Sequence, residues 1–189
     1  MARWARGLLA DPELLVFDVQ TTGLASPWAV QIAALDLRGA VLFNEFLDPQ
    51  ATMEPQAVAL HGITPELATG AAPFAELLDR LTAVFHDRRC VAYPLSFDRG
   101  VLERELHRHH GRTPPVARWI RQCHWEDAIA PYAAWKGLWS DQRKGYRPQP
   151  LGSRHEAVAN CRKLLDHVRT MTEYRVSPWS QYRCSFLTS

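Results

Sequence analysis

Three residues have the type and setting to do chemistry: Asp18, Asp98 and His155. Asp18 follows the apolar run Leu14-Leu15-Val16-Phe17 and stands just before the turn residues Thr21, Thr22 and Gly23. A carboxylate on a buried strand is costly to desolvate unless a cation or a set of donors meets it. Asp98 stands at the start of a helical stretch after a second short strand, where the positive end of the helix dipole stabilises its charge. Taken alone it reads as an ordinary helix-start carboxylate. Beside Asp18 on the neighbouring strand it becomes half of a site for a hard divalent cation. His155 opens the last helical segment, where the dipole lowers an imidazole's pKa and keeps it neutral enough to accept a proton. By itself it reads equally well as a surface histidine.

The elements that would position these groups can be read from the apolar spacing. Residues 13–19 form a short apolar strand, and residues 29–37 and 40–47, split by Arg38-Gly39, read as a hairpin. Residues 49–60 look irregular. Thr64 is placed as a helix N-cap, with Pro65 at the first helical position and Leu67 in the first turn. Helical spacing over 74–85 precedes a brief buried strand at 89–93, ended by Pro94, and helical spacing resumes over 97–110. After the Thr113-Pro114-Pro115 break, 119–139 reads as an aromatic-rich helical stretch and 140–150 as a polar, basic loop. The last helix is expected over 155–171, with Ala157, Cys161, Leu164, Leu165 and Val168 on one face. The order βββαβααα predicts an α/β fold with a central mixed sheet flanked by helices. It is expected as a single domain over 1–173 with a C-terminal tail at 174–189.

Composition narrows the class. A chain of 189 residues that is 47% hydrophobic and 22% charged, with a mean hydropathy of −0.26, is neither disordered, collagen-like nor a disulfide scaffold. No apolar stretch approaches the roughly 18–20 residues needed to span a bilayer, and the first residues lose their apolar character too soon for a secretory signal, so a cytoplasmic location is expected. Cys90, Cys123, Cys161 and Cys184 lie far apart and read as reduced, mostly buried thiols. Residues 1–79 carry ten acidic and three basic residues, a balance of −7, whereas 80–189 carry ten acidic and nineteen basic residues, a balance of +9. Most of the basic residues are Arg, whose planar fork suits phosphate oxygens. Alone, this asymmetry is weak evidence for nucleic acid.

Four ordered segments carry a resemblance. Val16-Phe17-Asp18-Val19-Gln20-Thr21-Thr22-Gly23-Leu24, His61-Gly62-Ile63-Thr64, Ser96-Phe97-Asp98 with Leu102, and His155-Glu156-Ala157-Val158-Ala159-Asn160 resemble the signature segments of the DEDDh exonucleases. These are 3′-to-5′ exonucleases of the DnaQ-like, ribonuclease H-like superfamily, which includes the proofreading subunit of bacterial replicative polymerase. The resemblance spans about residues 13–172 and implies a ribonuclease H-like fold. In that family four carboxylates hold two Mg²⁺ or Mn²⁺ ions that activate a water and stabilise the leaving oxygen, with the histidine as general base.

By that resemblance Asp18 matches the first carboxylate and Asp98 the third, so both are candidate metal ligands, and His155 matches the base. Gln20 and Asn160 stand where the family has Glu and Asp. The site thereby drops from −4 to −2. At an effective dielectric of about 20, one charge about 4 Å from a dication is worth several kcal/mol, so the water-carrying ion should be held far more weakly. The expectation is one weak Mg²⁺ or Mn²⁺ site and hydrolysis reduced by orders of magnitude. Glu156 is a conceivable replacement ligand, but a long carboxylate at a helix start more often satisfies the dipole. Gln20 and Asn160 are isosteric with the acids they replace, as a deliberate inactivation would be. Pro94, where the family usually has Asn, is not, and favours natural divergence.

Binding can outlive cutting, because a less acidic cleft repels phosphates less. The Thr21-Thr22-Gly23-Leu24 turn resembles the family segment that packs against a terminal nucleotide, and His61 would line the same groove. Arg143, Lys144, Arg147 and Arg154 could follow a phosphate chain, although a solvated basic loop is the commoner meaning of such a cluster. Trp119, Trp125, Trp135 and Trp139 read as packing more readily than as stacking faces. The leading expectation is a pseudoenzyme that binds DNA or RNA at a 3′ end. A weak or inactivated exonuclease, and a protein-interaction module in a larger replication, repair or CRISPR-type complex, are the alternatives.

Overall fold

The structure, a computed structural model, describes residues 1–152 and 156–173. It opens with helix α1 (Ala2–Leu9) and strands β1 (Leu14–Thr21), β2 (Ala29–Asp36) and β3 (Val41–Phe46). Helices α2 (Pro55–His61), α3 (Pro65–Thr69) and α4 (Phe74–Phe85) lead to β4 (Arg89–Ala92), α5 (Leu95–His110) and α6 (Pro114–Arg121). Strand β5 (His124–Asp127), helix α7 (Ile129–Lys136), the two-residue strands β6 (Trp139–Ser140) and β7 (Gly145–Tyr146), and helix α8 (Ala157–Met171) follow.

The main sheet has the order β3-β2-β1-β4-β5; β1 is antiparallel to β2 and parallel to β4, and β4 is parallel to β5. This is the mixed sheet flanked by helices that the sequence predicts, and it is a ribonuclease H-like fold. The central strand is covered on both faces. Leu15, Phe17 and Val19 pack with Phe74, Leu81, Phe85 and Leu102 from α4 and α5. Leu14 and Val16 pack on the other side with Ala5 and Leu8 of α1 and Cys161, Leu164, Leu165 and Val168 of α8. Two-sided burial is why β1 reads as a nearly continuous apolar run. The strand's period of two then puts Asp18 on the α8 side.

The β1–β2 register shifts between Gln20 and Thr21, where the strands part and the Thr21-Thr22-Gly23 turn leaves the sheet. Beside that bulge, the Ala29 N–H donates to the buried Glu105 carboxylate of α5 at 2.9 Å. Another buried polar side chain, Gln31, accepts the Ala157 N–H at 3.3 Å and donates to Asn44 at 2.9 Å, which ties the start of α8 to the sheet.

Several expectations need correction. The order βββαβααα omits α1, a short amphipathic helix of eight residues that buries Ala5 and Leu8. Residues 49–60, expected to be irregular, contain most of α2, a surface helix with no buried residue; its signals are Pro55 at the first helical position and a left-handed Gly62 at its C-cap. The stretch 119–139 is not one helix. It holds the end of α6, edge strand β5, α7 and the start of β6, because pairing of His124–Asp127 with β4 is a long-range gain invisible to local periodicity. The loop at 140–150 carries the β6–β7 ribbon. Thr64 does cap α3, its hydroxyl accepting the Leu67 N–H at 3.3 Å. Cys90, Cys123 and Cys161 are buried thiols, while Cys184 and the tail from 174 lie outside the described residues. Among the described residues, no helix is long and apolar enough to cross a membrane.

Candidate active site

The end of β1, the turn after it, α2 and the start of α5 enclose a cleft of about 260 Å³. Asp18, Gln20, Thr21, Gly23, Leu24, His61 and Asp98 all line it, together with Glu54, Leu60, Tyr93, Pro94 and Phe97. Seven residues singled out from the sequence thus meet in one place. Thr22 is near but structural: its hydroxyl accepts the Trp28 N–H at 3.0 Å and closes the turn. His155 and Arg154 lie outside the described residues, and the exposed Arg147 is not among the residues that line the cleft.

Asp98 sits in the first turn of α5 with 2% of its surface exposed, and its Oδ1 accepts the Val19 N–H at 2.9 Å. That bond joins the helix start to the end of β1. Burial, reinforced by the neighbouring Asp18, raises its carboxyl well above the usual carboxylate range. Asp18 is also pushed up, to about 7, chiefly by burial; hydrogen bonds from Asn160 and Gln20 pull the other way, and Glu156 adds to the rise.

The amides decide what Asp18 faces. Gln20 Nε2 donates to Asp18 Oδ2 at 2.6 Å, and Asn160 Nδ2 lies 3.1 Å from both Asp18 oxygens. Asn160 reaches Asp18 because it stands one turn into α8, whose start is anchored by Gln31 and capped by Glu156. The Glu156 oxygens accept the Val158 and Ala159 N–H groups at 3.2 and 3.0 Å, so this carboxylate serves the helix dipole.

These residues do not fit a two-cation centre. Hard divalent ions want several anionic oxygens, whereas here two positions are neutral amides whose N–H groups already point at the principal carboxylate. Among the described residues, no group of three or more His, Cys, Asp or Glu side chains is arranged to hold an ion.

The turn wall is rigidly built. His61 Nδ1 accepts the Ile63 N–H at 3.0 Å, so its Nε2 carries the proton and donates to the Thr21 carbonyl at 3.1 Å. The Thr21 hydroxyl donates to the Gly23 carbonyl at 2.8 Å. A Cβ on Gly23 would fall 2.1 Å from Glu54 Cδ, so glycine lets the Glu54 carboxylate pack against the turn. Leu24 projects from the tip with 82% of its surface exposed, and Leu60 faces the same cleft at 55%. Sequence reasoning missed Glu54 and Tyr93; the only local signal for Glu54 was its place before Pro55 at a helix start.

A family model described as an exonuclease, RNase_T, matches residues 15–166. The PolC-type DNA polymerase III of Bacillus cereus is 31% identical over 103 residues, which is 52% of this chain and 7% of the polymerase. That of Latilactobacillus sakei is 34% identical over 100 residues, 50% of this chain and 7% of the polymerase. Among solved structures, apo exonuclease I superposes with a TM-score of 0.64 at 21% identity, covering 82% of this chain and 40% of that one. Escherichia coli exonuclease I in complex with a dA16 oligonucleotide gives a TM-score of 0.63 at 21% identity, covering 83% and 40%.

Proposed function

Since the chain belongs to the DEDDh-type, DnaQ-like exonuclease family, we propose that it binds nucleic-acid 3′ ends in this cleft and that its hydrolytic activity is lost or strongly reduced. The observation that carries the reading is the amide cluster: Gln20 and Asn160 spend their N–H groups on both oxygens of Asp18. A Mg²⁺ or Mn²⁺ ion on Asp18 and Asp98 must displace those donors, so at most one weakly held ion is expected. Asp18, Gln20, Asp98, Asn160 and His155 are thereby remnants of a catalytic set.

Binding is assigned to the turn side. Leu24 and Leu60 offer apolar surface to a terminal base, Thr21 and Gly23 offer backbone, and His61 holds the turn in shape. Arg147 and Arg154 are assigned to the phosphates that follow. Structures of exonuclease I with oligonucleotides make single-stranded DNA the first probe to use. The reading also keeps residues 1–173 as a single domain with a 174–189 tail, and a cytoplasmic location.

The test is a 3′-labelled single strand incubated with increasing Mn²⁺. Binding without shortening is the expected result. Metal-dependent shortening that disappears in Asp18→Ala would establish a working exonuclease instead, favoured by the retained Asp18 and Asp98. Absence of both binding and shortening would leave a protein-interaction module.

A further inference from the structure

The β6–β7 ribbon carries an aromatic pair that the core does not use. Trp139 and Tyr146 are cross-strand partners whose rings meet edge to face, with centroids 5.3 Å apart at 84°. Each is 45% exposed, in contrast to Trp119, which is buried against Phe85. The turn between the strands presents Arg143 and Lys144 to solvent, and Arg147 follows just beyond β7. Asp141 is the acidic residue of that turn, and it accepts the Trp139 indole N–H at 3.0 Å, which holds the ring in place.

The ribbon is ordered at its base and close to the cleft. Arg147 N–H donates to the Leu138 carbonyl at 2.8 Å, and Lys144 takes the left-handed conformation (φ 50°) that closes the turn before Gly145. Three residues after Tyr146, the Gln149 carbonyl accepts the hydroxyl of Tyr93, a residue of the cleft wall. Three residues of chain reach at most about 10 Å, so the end of β7 lies within that reach of the Tyr93 partner, on the side of the molecule that carries the cleft wall.

We propose that this ribbon is a second nucleic-acid contact, selective for unpaired strands: bases upstream of the terminus stack on Trp139 and Tyr146 while Arg143, Lys144 and Arg147 meet the phosphates. The inference rests on the reading of the cleft as a 3′-end site. Exposed π-faces beside three cations and one carboxylate complement a polyanion whose bases are free to stack. Duplex bases are already stacked on one another and offer no face to the pair.

The experiment measures anisotropy of 5′-labelled oligonucleotides in EDTA, which isolates binding from cutting. A trinucleotide reports the cleft and a dodecamer reports cleft and ribbon together. Wild type is expected to bind the single-stranded dodecamer at least about tenfold tighter than the trinucleotide or a blunt duplex. Trp139→Ala with Tyr146→Ala should weaken dodecamer binding about tenfold or more and leave trinucleotide binding unchanged. Arg143→Gln with Lys144→Gln should lower the salt slope of dodecamer binding by about 1.4. Unchanged dodecamer affinity in both variants would overturn the proposal and leave the ribbon to a protein partner. Equal loss for the trinucleotide would overturn it too, making the ribbon a support of the cleft. If wild type binds neither oligonucleotide, the cleft reading itself fails.

Discussion

Gln20 and Asn160 keep the size of an acid while reversing what they offer. Where a carboxylate would present anionic oxygen, each presents an N–H, and those donors converge on Asp18 at 2.6 and 3.1 Å. The identities of these residues are plain in the sequence. The direction of their amides is not, and for Asn160 it depends on α8 lying across the end of β1. A consequence can be measured by thermal shift. Gln20→Glu with Asn160→Asp would crowd carboxylates around Asp18 and lower the melting temperature in EDTA, and added Mg²⁺ should restore it. At a hundredfold excess over its dissociation constant, an ion that binds only the folded state adds about 2.7 kcal/mol. Wild type should show little such shift. A large Mg²⁺-induced shift in wild type, or none in the reversed protein, would contradict the account of charge loss. Persistent inactivity of a metal-loaded reversed protein would point to Pro94 in the cleft wall.

Among the elements, α5 does more than deliver Asp98. Its Glu105 accepts the Ala29 N–H beside the β1–β2 bulge, close to where the turn leaves the sheet. Burial raises the Glu105 carboxyl above its ordinary 4.5, partly offset by the Ala29 bond and by Arg108 and Arg104. With the folded pKa raised, the stability from this group is full below about pH 4.5 and is lost as pH rises through the folded value. Glu105→Gln keeps an acceptor without a charge, so its stability relative to wild type should improve between pH 4 and pH 8 in urea titrations. Glu105→Leu leaves the Ala29 donor unpaired and should cost about 1–3 kcal/mol at either pH. The spacing of 97–110 predicted this helix, but Glu105 gave no local sign of its task. Its partner lies 76 residues earlier in the chain. β5 was missed for the same reason, since its pairing partner is β4 and not a neighbour in sequence.

Across the whole molecule, α8 joins the two ends of the described chain. It packs on β1, β2 and α1, burying Cys161, Leu164, Leu165, Val168 and Met171 on the face of the sheet that also carries Leu14 and Val16. Position and stability of the site are therefore linked, because Asn160 rides on the same helix. Leu164→Ala should cost about 2–5 kcal/mol and weaken cleft binding together with stability. Urea unfolding followed by far-UV and near-UV circular dichroism should remain a single coincident transition, as expected of one domain. Two separated transitions would show that α8 or the β6–β7 ribbon belongs to a separately folding unit. The charge asymmetry between the first 79 residues and the rest, −7 against +9, places the ribbon's Arg143, Lys144 and Arg147 in the basic part of the chain.

The sequence by itself determined the class of fold and seven of the residues that line the cleft, and it placed amides at positions 20 and 160, where the resemblance implies acids. Those features reside in residue type, order and local period, which do not require distant partners. Tertiary structure alone decided that Asn160 joins the neighbouring Gln20 in donating to Asp18 and that Gln31 accepts the Ala157 N–H at the start of α8. Each of these depends on which distant segment arrives beside a side chain, and packing of the sheet and α8 selects that neighbour.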